Sequence, residues 1–571
     1  MRVKQAYDAI VVGGGHNGLV AAGYLARAGK KVAVFERRKV LGGACVTEDF
    51  FPGVSFSSCS FIQAVLRPQI IRDLELSKFG LEMYAPDPQM FAVFDDATHV
   101  FAWQDVDKTL SEFARHSKED AKNFLLFGTR LRRFGEIADR WLMTDPPSRA
   151  TFIKAFEDEG EEELLNEFFF ASTKDLLSRY FKSPQVRGYL TFYGIVSIWG
   201  GPSTPGTGYL FGYHSSGEFE NTFGRWAFPV GGMGSITQAM ARSAQAHGAD
   251  IHVSSDVDEI LVSDGVARGV RLADGREFAA PVILSNADPK HTFLKLLRPG
   301  AVGASLRKKV EQVDTRGSMA RLHLLIDQLP QYLGFPNAEP GPQHRGHQLL
   351  GCSEERFEDA YSSMLRGELP SDYAIEAIIQ SVTDPTLAPS GRHAMMLGVQ
   401  NLSMTLAEGD WDSRREEFQA GVMESLYRYA PNLRGHVLGC HVITPLDLER
   451  TYGITGGNIF HTAMSVEHMF SARPIPEMGT YNTPVKGLYL CGAGSHPGGG
   501  VSGAPGHNAA QAVLADLSGA KRQAPIAATK GTSANMITRM MQSERGLSLG
   551  YTFARNRVFR TFSRLAMRNR R

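Results

Sequence analysis

The chain has 571 residues, 43% hydrophobic and 21% charged, with a formal net charge of +1. This is the composition of an ordinary globular protein, too long for one simple core, and it gives no case for nucleic acid as a whole-surface partner. The five cysteines (Cys45, Cys59, Cys352, Cys440 and Cys491) include no C-x-x-C pair, which argues against dithiol redox chemistry and a disulphide framework and for a reducing compartment. No paired Cys/His cluster suggests a metal, and no stretch reaches the apolar length of a membrane-spanning helix.

The N-terminal segment carries the densest signal. Tyr7 to Val12 reads as a buried strand, Leu19 to Ala28 as a helix rich in small residues that Gly29 ends, and Lys31 to Phe35 as a second strand closing on Glu36. Between the first strand and the helix lies Gly13-Gly14-Gly15-His16-Asn17-Gly18. A bare G-x-G-x-x-G is weak in a chain with 59 glycines, but inside a βαβ unit it is a dinucleotide fingerprint. Gly13, Gly15 and Gly18 let the backbone approach a pyrophosphate whose charge sits on the helix N-terminus. Glu36, 18 residues beyond Gly18, is placed to accept hydrogen bonds from ribose hydroxyls and would repel a 2′-phosphate, so FAD or NAD fits better than NADP. The competing reading of Glu36 is a solvated strand end. Arg37 and Arg38 lead into Gly42-Gly43, which reads as backbone passing close to a flavin pyrophosphate and ring and tips the balance to FAD.

The rest of the chain reads as two interleaved domains. Residues 1–95, 229–297 and 481–520 make the cofactor domain, and residues 96–228 and 298–480 the substrate domain. The first insertion ends in an aromatic series from Phe168 to Trp226, suited to the walls of a tunnel for a long apolar substrate or to an aromatic helical core. After it come a turn at Gly231 to Gly234, a helix through Ala246, strands from His252 to Val262 and Val266 to Leu272, and a buried strand from Val282 to Leu284. By resemblance to flavoproteins, Val257 lies where such chains bring backbone to the adenine, and Asn286 follows the buried strand where the chain would return to the cofactor.

A second glycine-rich motif, Cys491 to Gly500, follows a short strand, Leu488 to Cys491, and precedes a helix from Ser502 to Leu517. Gly492, Gly494, Val501 and Ser502 are its expected cofactor contacts, with the helix N-terminus favouring negative charge on a reduced flavin. The competing reading is glycine packing between strand and helix. His496 is the titratable group most closely tied to this motif, and His461 is a second candidate catalytic group; each has a structural alternative, as a loop-holding or a core histidine.

Further matches lie at Leu66-Arg67-Pro68-Gln69-Ile70, Gly231-Gly232-Met233-Gly234, Ser285-Asn286-Ala287-Asp288-Pro289, Asp384 to Pro389 and Gly456 to His461. With the two glycine motifs they make the chain, over roughly residues 6–518, resemble the phytoene desaturase-like superfamily of FAD-dependent oxidoreductases, with FAD-type carotenoid ketolases as cousins. The resemblance implies an α/β fold: an FAD-binding Rossmann-like domain of the flavin oxidase and desaturase type, built from discontinuous segments, with an inserted α+β substrate domain. It implies hydride transfer from an apolar, isoprenoid-like substrate to flavin N5. One dinucleotide fingerprint leaves no dedicated NADPH domain, so oxygen, a quinone or another protein is the expected electron acceptor. Two other readings stay open: a flavoprotein that binds a partner or membrane with little turnover, and an amine oxidase, against which His496-Pro497-Gly498 counts.

Residues 521–571 read as a linker and a basic tail. Residues 541–571 contain eight Arg and one Glu, with Val558, Phe559, Phe562, Leu565 and Ala566 on one helical face opposite Arg557, Arg560, Arg564, Arg568 and Arg571. Such a face suits an anionic membrane interface, or equally a solvated or subunit-docking helix. With six residues ahead of the first strand and no room there for a targeting peptide, the expectation is a cytoplasmic protein, peripheral on the inner face of a membrane if the tail docks there, and open to homo-oligomerisation.

Overall fold

The computed structural model describes residues 6–522; the amphipathic tail and nearly all of the linker expected before it lie outside the described residues. At the centre is a five-stranded, wholly parallel sheet. Its strands are β1 (Ala9–Val12), β2 (Val32–Phe35), β3 (Asp250–His252), β4 (Val282–Ser285) and β5 (Leu488–Leu490), in the order β3-β2-β1-β4-β5. β1, β2, β4 and β5 are buried throughout, which explains why each reads as a short continuous apolar run. Three stretches far apart in the chain therefore converge on one sheet, as the discontinuous cofactor domain requires.

Helix α1 (His16–Arg27) leaves β1 through the glycine loop. Its N-cap is Gly15 with no side-chain cap, so the free N–H groups of the first turn face the end of the sheet. Helices α2 (Gly234–Ala246) and α3 (Ala504–Ser518) pack on α1, and small residues set how close they come. A Cβ on Gly18 would stand 2.3 Å from the Gly13 carbonyl, and one on Gly506 of α3 would stand 2.0 Å from the Asn17 carbonyl of α1.

The segment from His252 to Val262 is not one strand. It breaks at 253–256: β3 ends on the parallel sheet, and Val257–Ser263 begins a separate antiparallel sheet with Val266–Leu272 and Glu277–Ala279. The break lets the chain cross the end of β2 and brings Asp256 and Val257 to the mouth of the glycine loop.

The second domain is a seven-stranded sheet with a helical layer. Its strands run Val437–Ile443, Met319–Ile326, His393–Gln400, Ile375–Ile378, His347–Leu350, Met90–Val93 and His99–Ala102, all antiparallel except the pair His347–Leu350 with Met90–Val93. Met90–Val93 thus belongs to this sheet, so the inserted domain begins before the boundary expected at residue 95. Helices between Val106 and His214 supply the aromatic layer, in which Phe127, Phe134, Phe152, Phe168, Phe169 and Phe192 are buried among one another.

Candidate active site

A cleft opens at the carboxyl end of β1 and β2, where ligands bind in open parallel sheets. Ten residues singled out from the sequence line it: Gly13, Gly15, Glu36, Arg37, Arg38, Gly42, Gly43, Val257, Asn286 and His461. The two glycine pairs lie against each other, with the Gly42 N–H donating to the Gly14 carbonyl at 2.9 Å. A side chain at Gly15 would have to displace Asn286, because a Cβ there would lie 2.7 Å from Asn286 Nδ2, which itself donates to the Gly13 carbonyl. Gly18 does not line the cleft; it fixes the loop from behind by its close approach to Gly13.

Glu36 is buried rather than a solvated strand end. Its Oε2 accepts from the Gly14 N–H and its Oε1 from the Arg38 N–H, each at 2.8 Å. The carboxylate is therefore held rigidly at the end of β2, where a ribose would meet it. The two arginines are held by different means. Arg37 donates through Nη2 to the Thr451 and Arg450 carbonyls, while Arg38 pairs with Glu48 and lies over the Tyr452 ring at 4.7 Å. Arg38 Nη1 and Asn17 Oδ1 are buried with no protein partner, leaving a donor and an acceptor beside the glycine loop. Close backbone, an uncapped helix start, a fixed carboxylate and spare polar atoms together fit a dinucleotide.

The C-terminal motif meets the first motif from below. A Cβ on Gly492 would stand 2.6 Å from the Asn286 carbonyl and 3.3 Å from His461 Nδ1; one on Gly494 would stand 2.7 Å from Pro289. Ala493 lines the cleft, but Gly492, Gly494, Val501 and Ser502 stand behind its wall. Val501 and Ser502 lead into α3, where the Ser502 carbonyl accepts from the Arg67 N–H.

The two candidate histidines part company. His461 lines the cleft, holds a left-handed backbone at φ 62°, and has a buried Nδ1 with no protein partner. His496 does not reach the cleft. Its Nε2 sits 2.8 Å from the Trp141 carbonyl, pinning the motif to the helical layer, and burial holds its pKa down to about 4. Its Nδ1, like that of His461, is buried with no protein partner, while its Nε2 stands where the loop-holding alternative would place it.

Other lining residues carried little or no signal in the sequence. His16 occupies a variable position of the fingerprint; its Nε2 lies 3.1 Å from the Gly500 carbonyl, and burial followed by repulsion from His461 holds its pKa down to about 4. His291 is the third histidine of the cleft, and burial lowers it too. Asp288, beside it, accepts from the His291 N–H and from Thr455, tying the inserted domain to the sheet. Tyr452, Gly453, Ile454 and Ile459 close the cleft from that domain, more than 400 residues from the loop they face. Only a tertiary contact could reveal Tyr452, Gly453 and Ile454; Ile459 lies inside the Gly456–His461 match.

Within the seven-stranded sheet lies a buried charged group. Arg321 pairs with Glu376, which also accepts from Gln400 Nε2 at 2.9 Å and lies 3.3 Å from His347 Nε2. Burial pushes the Glu376 carboxyl up, but Arg321 and His347 outweigh it and hold the group below its ordinary value. The cysteines are all free, and burial pushes each thiol up, Cys59 and Cys440 to about 12, far from a reactive thiolate. Among the described residues no group of His, Cys, Asp and Glu is arranged to hold a metal, and no helix is long and apolar enough to cross a membrane.

Comparison with known proteins places these features in a wider group. The model of flavin containing amine oxidoreductases matches residues 18–514. Pyridine nucleotide-disulfide oxidoreductase domain-containing protein 2 of Rattus norvegicus is 38% identical over 554 residues, covering 90% of this chain and 94% of that protein. A neurosporene-forming phytoene desaturase of Rhodobacter capsulatus is 28% identical over 506 residues, covering 86% and 91%. Among solved structures, an oxidoreductase from Methanosarcina mazei superposes with a TM-score of 0.58 at 18% identity, covering 89% of this chain and 99% of that one.

Proposed function

The chain belongs to the flavin containing amine oxidoreductase family and its cofactor is FAD, and from that premise we propose that it oxidises an apolar, isoprenoid-like substrate. When bound, FAD would supply the two-electron acceptor for a hydride from a C–H bond. The protein's part is to bind, orient and exclude water. Glu36 would hold the ribose, the Gly13–Gly15 backbone and the start of α1 would hold the pyrophosphate, and Gly42 and Gly43 would pass close to the ring. His461 is the neutral cleft histidine with a free ring nitrogen, placed to orient substrate or take up a proton.

The observation that supports the apolar reading is the apolar part of the cleft wall. Ala44, Ile459 and Ala493 contribute to it beside His16 and His461, which lie near the C-terminal motif, and the lining carboxylates are Glu36 and Asp256. Ile459 packs directly on the aromatic layer, so this part of the wall adjoins a large apolar region. The aromatic side chains themselves do not line the cleft; they form a close-packed core. An amine substrate would call for a carboxylate or an open aromatic cage at the ring end. The phytoene desaturase likeness supports a hydrocarbon instead.

We further propose oxygen, a quinone or another protein as the electron acceptor, and an anionic membrane surface as the place where the basic tail brings the enzyme to a bilayer-dissolved substrate. Native mass spectrometry of gently purified protein tests the substrate class. Recovery of a lipophilic isoprenoid-like compound is expected; recovery only of small charged metabolites would overturn the reading.

A further inference from the structure

Arg473 is fully buried, yet pairs with no carboxylate among the described residues. Every hydrogen bond its guanidinium makes goes to a main-chain carbonyl: Ala493 from Nε at 3.3 Å and from Nη2 at 2.8 Å, Ala463 and His468 from Nη1 at 2.9 and 3.2 Å, and Phe460 and Thr462 from Nη2 at 2.8 and 3.0 Å. These acceptors are neutral dipoles, so the donors are satisfied while the charge is not offset. Desolvating a charge in this way is costly, and buried guanidinium groups ordinarily have an anion beside them. The nearest acidic hydroxyls, Tyr213 and Tyr209, are themselves pushed up by burial and stay neutral.

The position of this charge gives it a target. Ala493, whose carbonyl takes two of its bonds, lines the cleft, and a Cβ on Gly498 would stand 3.6 Å from the Arg473 Cζ. The guanidinium therefore lies directly behind the C-terminal glycine motif. Burial lowers its pKa only to about 10, so it remains charged at neutral pH. In so dry a place its field is little screened. The same field holds down His461 and His496, after burial itself, and so keeps the histidines near the motif neutral.

We infer that Arg473 is an electrostatic positioning residue for FAD: a buried, uncompensated cation behind the Ala493–Gly498 turn whose counter-charge is the negative charge gained by the flavin ring on reduction. The inference rests on the FAD-dependent reading above. It assigns Arg473 no contact with the ring and no proton to move. Its effect is to favour reduced over oxidised flavin, which raises the midpoint potential of the bound cofactor.

The test compares FAD-loaded parent protein with Arg473→Lys and Arg473→Met in redox titrations. The Met variant is expected to show a lower midpoint potential than the parent, and the Lys variant, which keeps the charge but not the planar fork of donors, a potential near the parent's. A Met variant that holds FAD at the parent's potential would overturn the inference and leave Arg473 as a tie between loops. Should the Met variant fail to fold, the parent and Arg473→Gln are compared after loading with 8-mercapto-FAD, so that the α3 N-terminus, common to both, cancels. That analogue shifts to its long-wavelength quinoid band when positive charge lies at the pyrimidine end of the ring. The band is expected to be stronger in the parent, and equal spectra would overturn the inference. A folded parent that takes up no flavin would instead break the cofactor reading on which the inference rests.

Discussion

At Gly15 any larger residue must displace the Asn286 amide from its bond to the Gly13 carbonyl. Asn286 Nδ2 occupies the place of its Cβ at 2.7 Å, and the same stretch of backbone must also meet the pyrophosphate. Gly15→Val is therefore expected to abolish FAD binding, read as a colourless purified protein that FAD does not reconstitute. The cysteines lead to the opposite expectation: with every thiol pushed up by burial and none paired, replacing all five with serine should leave flavin reduction within about tenfold of the parent in a folded, FAD-loaded variant. Loss of turnover in such a variant would restore thiol chemistry to consideration. His461 combines cleft exposure, a left-handed backbone and an orphaned Nδ1, so His461→Ala is expected to slow substrate-driven flavin reduction while FAD stays bound, measured by anaerobic absorbance. His496→Ala, by contrast, should act first on thermal stability, since that ring joins the motif to Trp141.

At the scale of elements, the crossing of α1 and α3 is one of the tight contacts of the cofactor domain. Gly506 puts its α-carbon against the Asn17 carbonyl, so even Gly506→Ala, with a Cβ 2.0 Å from that oxygen, must push the helices apart. A loss of about 1–3 kcal/mol in chemical denaturation is expected. Much of this domain was legible in the sequence because its information is local. The fingerprint, Glu36 at the end of β2 and the Cys491–Gly500 motif each sit within one strand-turn-helix unit. What was not legible depends on distant pairing. Nothing near Met90–Val93 marks it as the partner of His347–Leu350, and nothing near Tyr452 marks it as lying beneath Arg38. The run from His252 to Val262 looked continuous because both halves favour β structure, whereas the chain changes sheets between them. The aromatic series was the reverse case: side chains suited to a tunnel wall serve equally well in a core, and here they pack on one another.

Taken as a whole, the molecule buries several neutral histidines, and this sets its response to acid. Burial holds His16, His214 and His496 down to about 4, below the ordinary value of 6.5. The unfolded chain binds protons that these folded rings refuse, so the stability they contribute is complete above about pH 6.5 and is lost as pH falls toward about 4. Thermal melts should show Tm falling through that window, and a flat profile would contradict the burial of these rings in the native state. The proposed membrane docking is likewise a property of the full chain: protein truncated after Leu517 should fail to co-sediment with anionic liposomes that carry down the full chain in a salt-sensitive way. Equal binding by both, or by neither, would remove the tail as an anchor. The central claim, FAD-dependent oxidation of an apolar substrate, is tested most directly by anaerobic bleaching of the bound flavin with a panel of isoprenoid hydrocarbons, quinols and amines. The account predicts bleaching by an isoprenoid hydrocarbon and not by amines; bleaching by amines alone, or by none of the lipophilic compounds, would contradict it.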